Sequence, residues 1–403
     1  MIVYHQNKYK MKKTITLLML IAASYGAISG AYAQDSNDVA QTVTPMKSGE
    51  SQFMIVGLAT LGFVDQTTTN TLGGMKSTEK YNSLGDADRY EFSPMFLWRH
   101  GDNLLLEFEP SFDGTNIGVN WAVVSYFVAP NFIVRGGYFV LPFGIYNKRL
   151  AAGWIDKLTS DPIGMDVAGS DFGVEIEGGF AMGSTKWSYD LSLTNGQQLN
   201  NDGTINGVGI TAIGNGKTVC GRIGFLPLSN SSLEIGVSGL MGSLANPNAM
   251  NYNNPTSTMY AFDLDYVKNI NPIQINIKGQ YSMSIVNSQN YINPVDTTKT
   301  YTFTNATSSA FGQISIRPQV KNKVLRNLEL AYRFVDYTTP QNSTWGQNYT
   351  EEDVALDYWL TWRTVLKVGY ENIKTNGTSA VALSGTQGST TINRMIIQFS
   401  TEF

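Results

Sequence analysis

Val354-Ala355-Leu356-Asp357-Tyr358-Trp359-Leu360-Thr361-Trp362-Arg363 alternates without a break. Val354, Leu356, Tyr358, Leu360 and Trp362 share one face, while Ala355, Asp357, Trp359, Thr361 and Arg363 share the other. Successive side chains of an extended strand point to opposite faces, so this period of two reads as a strand with one apolar face. The pattern recurs along the chain. Leu104, Leu106 and Phe108 oppose Leu105, Glu107 and Glu109; Phe172, Val174 and Ile176 oppose Gly173, Glu175 and Glu177. Ile273, Ile275 and Ile277 oppose Gln274, Asn276 and Lys278, and Met395, Ile397, Phe399 and Phe403 oppose Ile396, Gln398, Ser400 and Glu402.

About sixteen such segments are expected, an even number within the range of outer-membrane barrels. They lie near 53–64, 88–99, 103–112, 117–128, 132–141, 171–182, 185–194, 217–228, 231–242, 258–268, 272–285, 307–318, 326–338, 352–362, 364–373 and 393–403. Short turns such as His100–Asp102, Gly183–Ser184 and Asn269–Asn271 alternate with long polar connections at 65–87, 142–170, 195–216, 243–257, 286–306, 339–351 and 374–392. The one short connection among the long set is Asp113–Asn116. A transmembrane barrel has tight turns at one rim and long loops at the other. A soluble β-sandwich also buries one face of each strand, but has no reason to sort its connections by length. Closing the sheet leaves no unpaired edge, which a lipid environment requires. The expected fold class is therefore all-β, a transmembrane antiparallel β-barrel of about sixteen strands. Aromatics such as Trp98, Tyr126, Tyr138, Trp187, Tyr266 and Trp362 fall near the expected strand ends, where interfacial girdles sit.

Composition agrees. The 403 residues carry 28 Lys+Arg against 32 Asp+Glu, with only 15% charged and 39 Gly. Lys8, Lys10, Lys12 and Lys13 precede an apolar run from Ile15 to Ala23, followed by Ala31-Tyr32-Ala33. That is the layout of a cleaved export signal, so residues 1–33 read as a signal peptide, 34–50 as a periplasmic N-terminal segment and 51–403 as the barrel. Met11-Lys12-Lys13 offers an alternative start. Cleavage takes four lysines and no acid, leaving 24 Lys+Arg against 32 Asp+Glu. An acidic exported chain is a poor nucleic-acid binder. One cysteine, Cys220, rules out an internal disulfide, and one mature histidine, His100, removes most His-dependent catalysis. No cofactor, no metal site and no catalytic residue is expected.

Three features carry a resemblance to the general porin superfamily of Gram-negative outer membranes, nearest to the phosphate-selective (O/P-type) porin-like proteins. The chain stops at Met395-Ile396-Ile397-Gln398-Phe399-Ser400-Thr401-Glu402-Phe403, which is similar to the terminal strand recognised by the barrel-assembly machinery. Strand number and loop rhythm resemble those of sixteen-stranded porins. Gly137-Tyr138-Phe139-Val140-Leu141-Pro142-Phe143-Gly144-Ile145-Tyr146-Asn147-Lys148-Arg149, continuing to Trp154, Lys157 and Pro162, is similar to a segment of the phosphate-selective group. The resemblance implies that this connection is the third external loop, folded inward to narrow the pore. It also implies a homotrimer, with outer-membrane lipid and lipopolysaccharide around the barrel and small hydrophilic solutes passing through it. Phe403 is the expected assembly signal.

The resemblance fails in one respect. Phosphate-selective porins line the channel with basic residues, whereas parity here puts a mixed and acid-rich set inside. The candidate constriction comprises Lys148, Arg149, Asp156, Lys157, Asp161 and Asp166 on the loop, with Glu107, Glu109 and Arg135 on the wall. Arg317, Arg333, Arg363 and Lys367 form a candidate basic patch. Pro142, Phe143, Gly144, Asn147 and Trp154 are read as structural residues of the loop, since proline ends a ladder and glycine permits a sharp turn. Charges facing each other across a narrowing sort permeating solutes. The expected function is a water-filled channel for passive diffusion of small hydrophilic solutes and ions, with weak cation preference. An anion- or phosphate-selective porin and a gated, substrate-specific uptake channel are the alternatives. A barrel enzyme would need more than His100, and a surface-structural barrel would not need so many inward charges.

Overall fold

A computed structural model describes residues 49–72, 74–84, 90–165, 168–207, 216–245, 252–377 and 388–403. The expected signal peptide at 1–33, residues 34–48 of the expected N-terminal segment and Asp166 lie outside the described residues. Sixteen staves close into one barrel. The first is β1 (Ser51–Leu72); the second, β2, comes in two successive pieces, Met75–Leu84 and Tyr90–His100. Then follow β3 (Leu104–Phe112), β4 (Ile117–Ala129), β5 (Phe132–Val140), β6 (Ser170–Met182) and β7 (Thr185–Thr194). The far side is β8 (Thr218–Leu226), β9 (Leu233–Ser243), β10 (Thr256–Ile270), β11 (Ile273–Val286) and β12 (Ala306–Pro318). The last four are β13 (Leu328–Thr338), β14 (Gln347–Thr361), β15 (Thr364–Gly377) and β16 (Gly388–Glu402).

Every neighbouring pair is antiparallel, and β16 returns to β1 from Leu58↔Glu402 to Leu72↔Gly388. That ladder abolishes both sheet edges. No described helix is long and apolar enough to cross a membrane.

Burial is inverted relative to a soluble protein. In β14, Leu356 is 47% exposed and Val354 and Leu360 are exposed with it, while Asp357 is 0% exposed and Ala355 and Trp359 are buried. The same holds in β15, where Leu366, Val368 and Tyr370 face out and Val365, Lys367 and Glu371 face in. A β-sandwich would bury the first set and expose the second. An apolar outer belt around a polar interior is the arrangement a bilayer stabilises.

The structure differs from the sequence reading at the outer rim. The polar stretch 65–87 is expected as a loop, yet β1 continues to Leu72 and pairs with Met75–Leu84. Thr67, Thr68, Thr69, Thr71 and Thr78 are polar but β-branched, so they suit an extended ladder as well as they suit solvent. Nor are the connections after β7, β9 and β11 loose loops throughout. Their Leu199, Leu244, Tyr291 and Phe303, with Val286 at the end of β11, form a shared buried core, with the Tyr291 and Phe303 rings 4.2 Å apart.

Candidate functional site

The connection Leu141–Gly169 joins β5 to β6. Its neck is closed by the Leu141 amide donating to the Gly169 carbonyl (3.0 Å). Pro142 has no amide proton to extend the ladder. Phe143 is buried against Val123, Phe139, Leu240 and Met259, beside Cys220, whose thiol reaches the Pro142 carbonyl (3.5 Å). Gly144 sits at φ +67°, where a Cβ would press on the Gln280 amide. This bend lets the Gly144 amide donate to Ser238 Oγ on β9 (2.9 Å), and the Ile145 and Tyr146 amides to Gln280 Oε1 on β11 (2.7 and 3.0 Å). One π-helical turn, Tyr146–Leu150, follows.

Charged side chains then fasten the connection to inward-facing residues of the wall. Lys148 Nζ lies 2.8 Å from Glu175, 3.4 Å from Glu177 and 3.0 Å from Asp190. Burial opposes the charge on Lys148, but Asp190, Glu175 and Glu177 together outweigh it and hold its ammonium above the ordinary lysine value. Arg135 joins the same cluster, 3.0 Å from Glu175, 3.1 Å from Glu177 and 3.5 Å from Glu107. Arg149 pairs with Glu234 (2.7 Å), which also holds Arg222 (2.9 Å).

A second cluster lies beyond. Arg333 is fully buried and reaches Asp353 (2.7 Å), Glu351 (3.0 Å) and Asp156 (3.3 Å), and donates to the Ser160 carbonyl (2.5 Å). Lys367 donates to the carbonyls of Asp156 and Leu158 (both 2.7 Å). Lys157 lies 3.6 Å from Glu329 and 4.2 Å above the Trp359 ring. The Tyr146 hydroxyl bridges within the connection, donating to Asp156 (2.8 Å) or Asp161 (2.5 Å). Asp161 keeps surface toward an internal cavity yet is enclosed by the barrel, and this enclosure raises its carboxyl to about 6, partly opposed by the Tyr146 hydrogen bond.

The cavity, of about 520 Å³, lies between residues 151–163 of the connection and the inner faces of β1–β4, β15 and β16. Glu91, Asn120, Asp161, Glu371, Arg394 and Gln398 are on its lining.

The expected site residues thus divide. Glu107, Arg135 and Lys148 meet in one ion-paired cluster, and Asp156 and Lys157 in another with Arg333 and Lys367. Glu109 is separate, accepting from Asn120 Nδ2 (3.2 Å). Arg317 sits over the Trp359 ring (5.6 Å) and donates to the Arg326 carbonyl (2.9 Å). Arg363 pairs with Glu402 and stacks on Trp362 (3.8 Å) at the short-turn rim. Asn147 pins the connection internally through the Met165 carbonyl (3.1 Å), and Trp154 meets Trp362 edge-on. Phe403 exchanges backbone hydrogen bonds with Gly57 (2.9 and 3.0 Å) and stacks on Phe92. Sequence reasoning did not single out Tyr146, Gln280, Asn120 or Gln398. Parity puts Gln398 inside, but which inward residues face a cavity depends on where the connection lies.

No family model matches this sequence, and no curated protein matches it. Solved structures do. An anion-selective porin from Comamonas acidovorans is 11% identical, with 88% of this chain and 100% of that chain covered and a TM-score of 0.53. The outer membrane channel DcaP of Acinetobacter baumannii is 12% identical, with 90% and 100% covered and a TM-score of 0.53. At this identity the likeness is one of fold: the chain closes a β-barrel like those of these two channels, with an apolar outer belt of the kind a bilayer stabilises.

Proposed function

We propose that the chain is a porin for passive diffusion of small hydrophilic solutes and ions, with the connection Leu141–Gly169 as its constriction and a weak preference for cations. One observation carries the reading. Among the described residues, the inward arginines and lysines are mostly engaged by carboxylates, with Lys367 held by loop carbonyls and Arg317 by the Arg326 carbonyl, whereas the cavity left beside the connection is lined by more acids than bases. An ion pair presents little net field to a passing solute, while an unpaired carboxylate presents a full charge. The same argument disfavours phosphate selectivity, because Arg135, Arg333 and Lys367 are not free to form a basic ladder.

Assembly belongs to the proposal too. The outward rings of Phe53, Phe96 and Phe108 stack across β1–β3 at 6.3 and 6.2 Å, a flat apolar strip suited to a neighbouring copy in a homotrimer. The remaining belt faces lipid, including lipopolysaccharide in the outer leaflet. Phe403, which directly follows β16, serves the barrel-assembly machinery.

Planar-bilayer recording of the refolded chain 34–403 tests the reading, with reversal potential read across a salt gradient. Stepwise openings with a cation-sided potential are expected. An anion-sided potential would restore the phosphate-type alternative, and silence from a well-folded, heat-modifiable barrel would sink the diffusion channel.

A further inference from the structure

Two inward carboxylates, Glu91 on the cavity lining and Glu109 behind the lining residue Asn120, have no counter-charge. Glu91 on β2 and Glu109 on β3 converge on one neutral group, the Asn120 amide, which lies 3.2 Å from an oxygen of each. Among the described residues neither has a salt-bridge partner. Several other lumen carboxylates are paired: Glu175, Asp190, Glu234, Asp263 and Glu329 each have a basic nitrogen within 3.6 Å. Glu91 has only hydroxyl and amide donors, with Ser93 Oγ at 2.5 Å.

A second observation is independent of the acids. Gln398 on β16 lines the same cavity, is 5% exposed, and its Oε1 has no hydrogen-bond partner. A buried acceptor without a donor costs about 1–3 kcal/mol, a cost that a donor brought in from the cavity would relieve once the Gln398 amide turns toward it. The basic group on this lining, Arg394, is already engaged by Glu371 (2.9 Å) and Gln66 (2.6 Å). The wall therefore offers spare acceptors and spare negative charge, in a space far larger than a bare metal ion fills.

We infer that this cavity is a binding station for small organic cations bearing ammonium or guanidinium groups, held by Glu91 on its lining, with Gln398 as a further acceptor and Glu109 adding its charge from behind Asn120. The inference rests on the cavity being the passage of the proposed channel. A guanidinium or ammonium brings several N–H donors with its charge, which matches a wall of carboxylate and amide oxygens. Occupancy is brief and salt-sensitive, as a station in a conducting path requires.

Agmatine, which carries both groups, is the probe. Calorimetry on the folded chain in detergent at low salt measures binding without requiring conduction, and bilayer recording measures interruptions of the open current. The expected result is saturable binding and concentration-dependent interruptions, with affinity weakened at least about tenfold in Glu91→Gln/Glu109→Gln. Glu79→Gln, on the exposed outer hairpin, should bind as the parent does. Openings without agmatine binding would overturn the station and leave the channel standing. Binding without openings would overturn the channel and leave the site. Equal binding by the double variant, or equal competition by Mg²⁺, would overturn the assignment to these carboxylates or to organic cations.

Discussion

Replacing Arg333 by methionine tests whether ion pairs hold the connection against the wall. The guanidinium is fully buried, contacts Asp353 at 2.7 Å, Glu351 at 3.0 Å and Asp156 at 3.3 Å, and donates to the Ser160 carbonyl at 2.5 Å. Two of those partners, Asp156 and Ser160, belong to the connection, and the other two to β14. Removing one member of a buried charge network costs about 3–5 kcal/mol, because the carboxylates left behind are uncompensated. The two bonds to the connection, at roughly 1.5–3 kcal/mol each, account for a loss of that size. Near 3 kcal/mol, the detached state of the connection would gain population by a factor of roughly 150. Arg333→Met should therefore give noisier, larger single-channel currents and a lower temperature for the heat-modification shift on electrophoresis. Adding Asp353→Asn and Glu351→Gln should restore much of the stability by removing the stranded charges. Currents as quiet as the parent's, with an unchanged heat-modification temperature, would refute the idea that this network fastens the connection.

Selectivity should depend on pH through Asp161, whose carboxyl is raised to about 6. It is charged above that pH and neutral below, so cation preference in reversal-potential measurements should fall as pH drops through about 6, and Asp161→Asn should shrink that fall. Asp113, also on the cavity lining, is held well below the ordinary carboxylate range by hydrogen bonds from Asn116 and Thr115, so it keeps its charge and adds no step there. Gly144→Ala forces a side chain into φ +67° and onto the Gln280 amide. A left-handed backbone costs a non-glycine residue about 1–2 kcal/mol, so the variant should lower the heat-modification temperature and loosen the connection, visible as open-channel noise.

Much of the barrel was legible because each strand answers to a local rule. Period-two alternation in Val354–Arg363 fixes which residues share a face without reference to any partner strand, and the strands lie within a few residues of their expected places. The rule failed at 65–84, where polarity and strand propensity point different ways and only the outer half of β1 as a template decides between them. The candidate site was legible as a set of inward charges and as a loop with a sharp bend at Gly144. Which charges cancel was not. Lys148 is 27 residues from Glu175 and Arg149 is 85 from Glu234, separations that no local pattern reports.

The sequence alone determined the closed antiparallel sheet, its apolar outer face, its polar interior and the connection that departs from a strand end at Pro142. These follow from side-chain alternation and from backbone chemistry, both short-range. Only the tertiary structure decided that Arg135, Lys148 and Arg333 are neutralised while Glu91 and Glu109 are not. The net field in a lumen is a sum over groups brought together from distant strands, and a pair within 3 Å contributes almost nothing to that sum while an unpaired carboxylate contributes all of its charge.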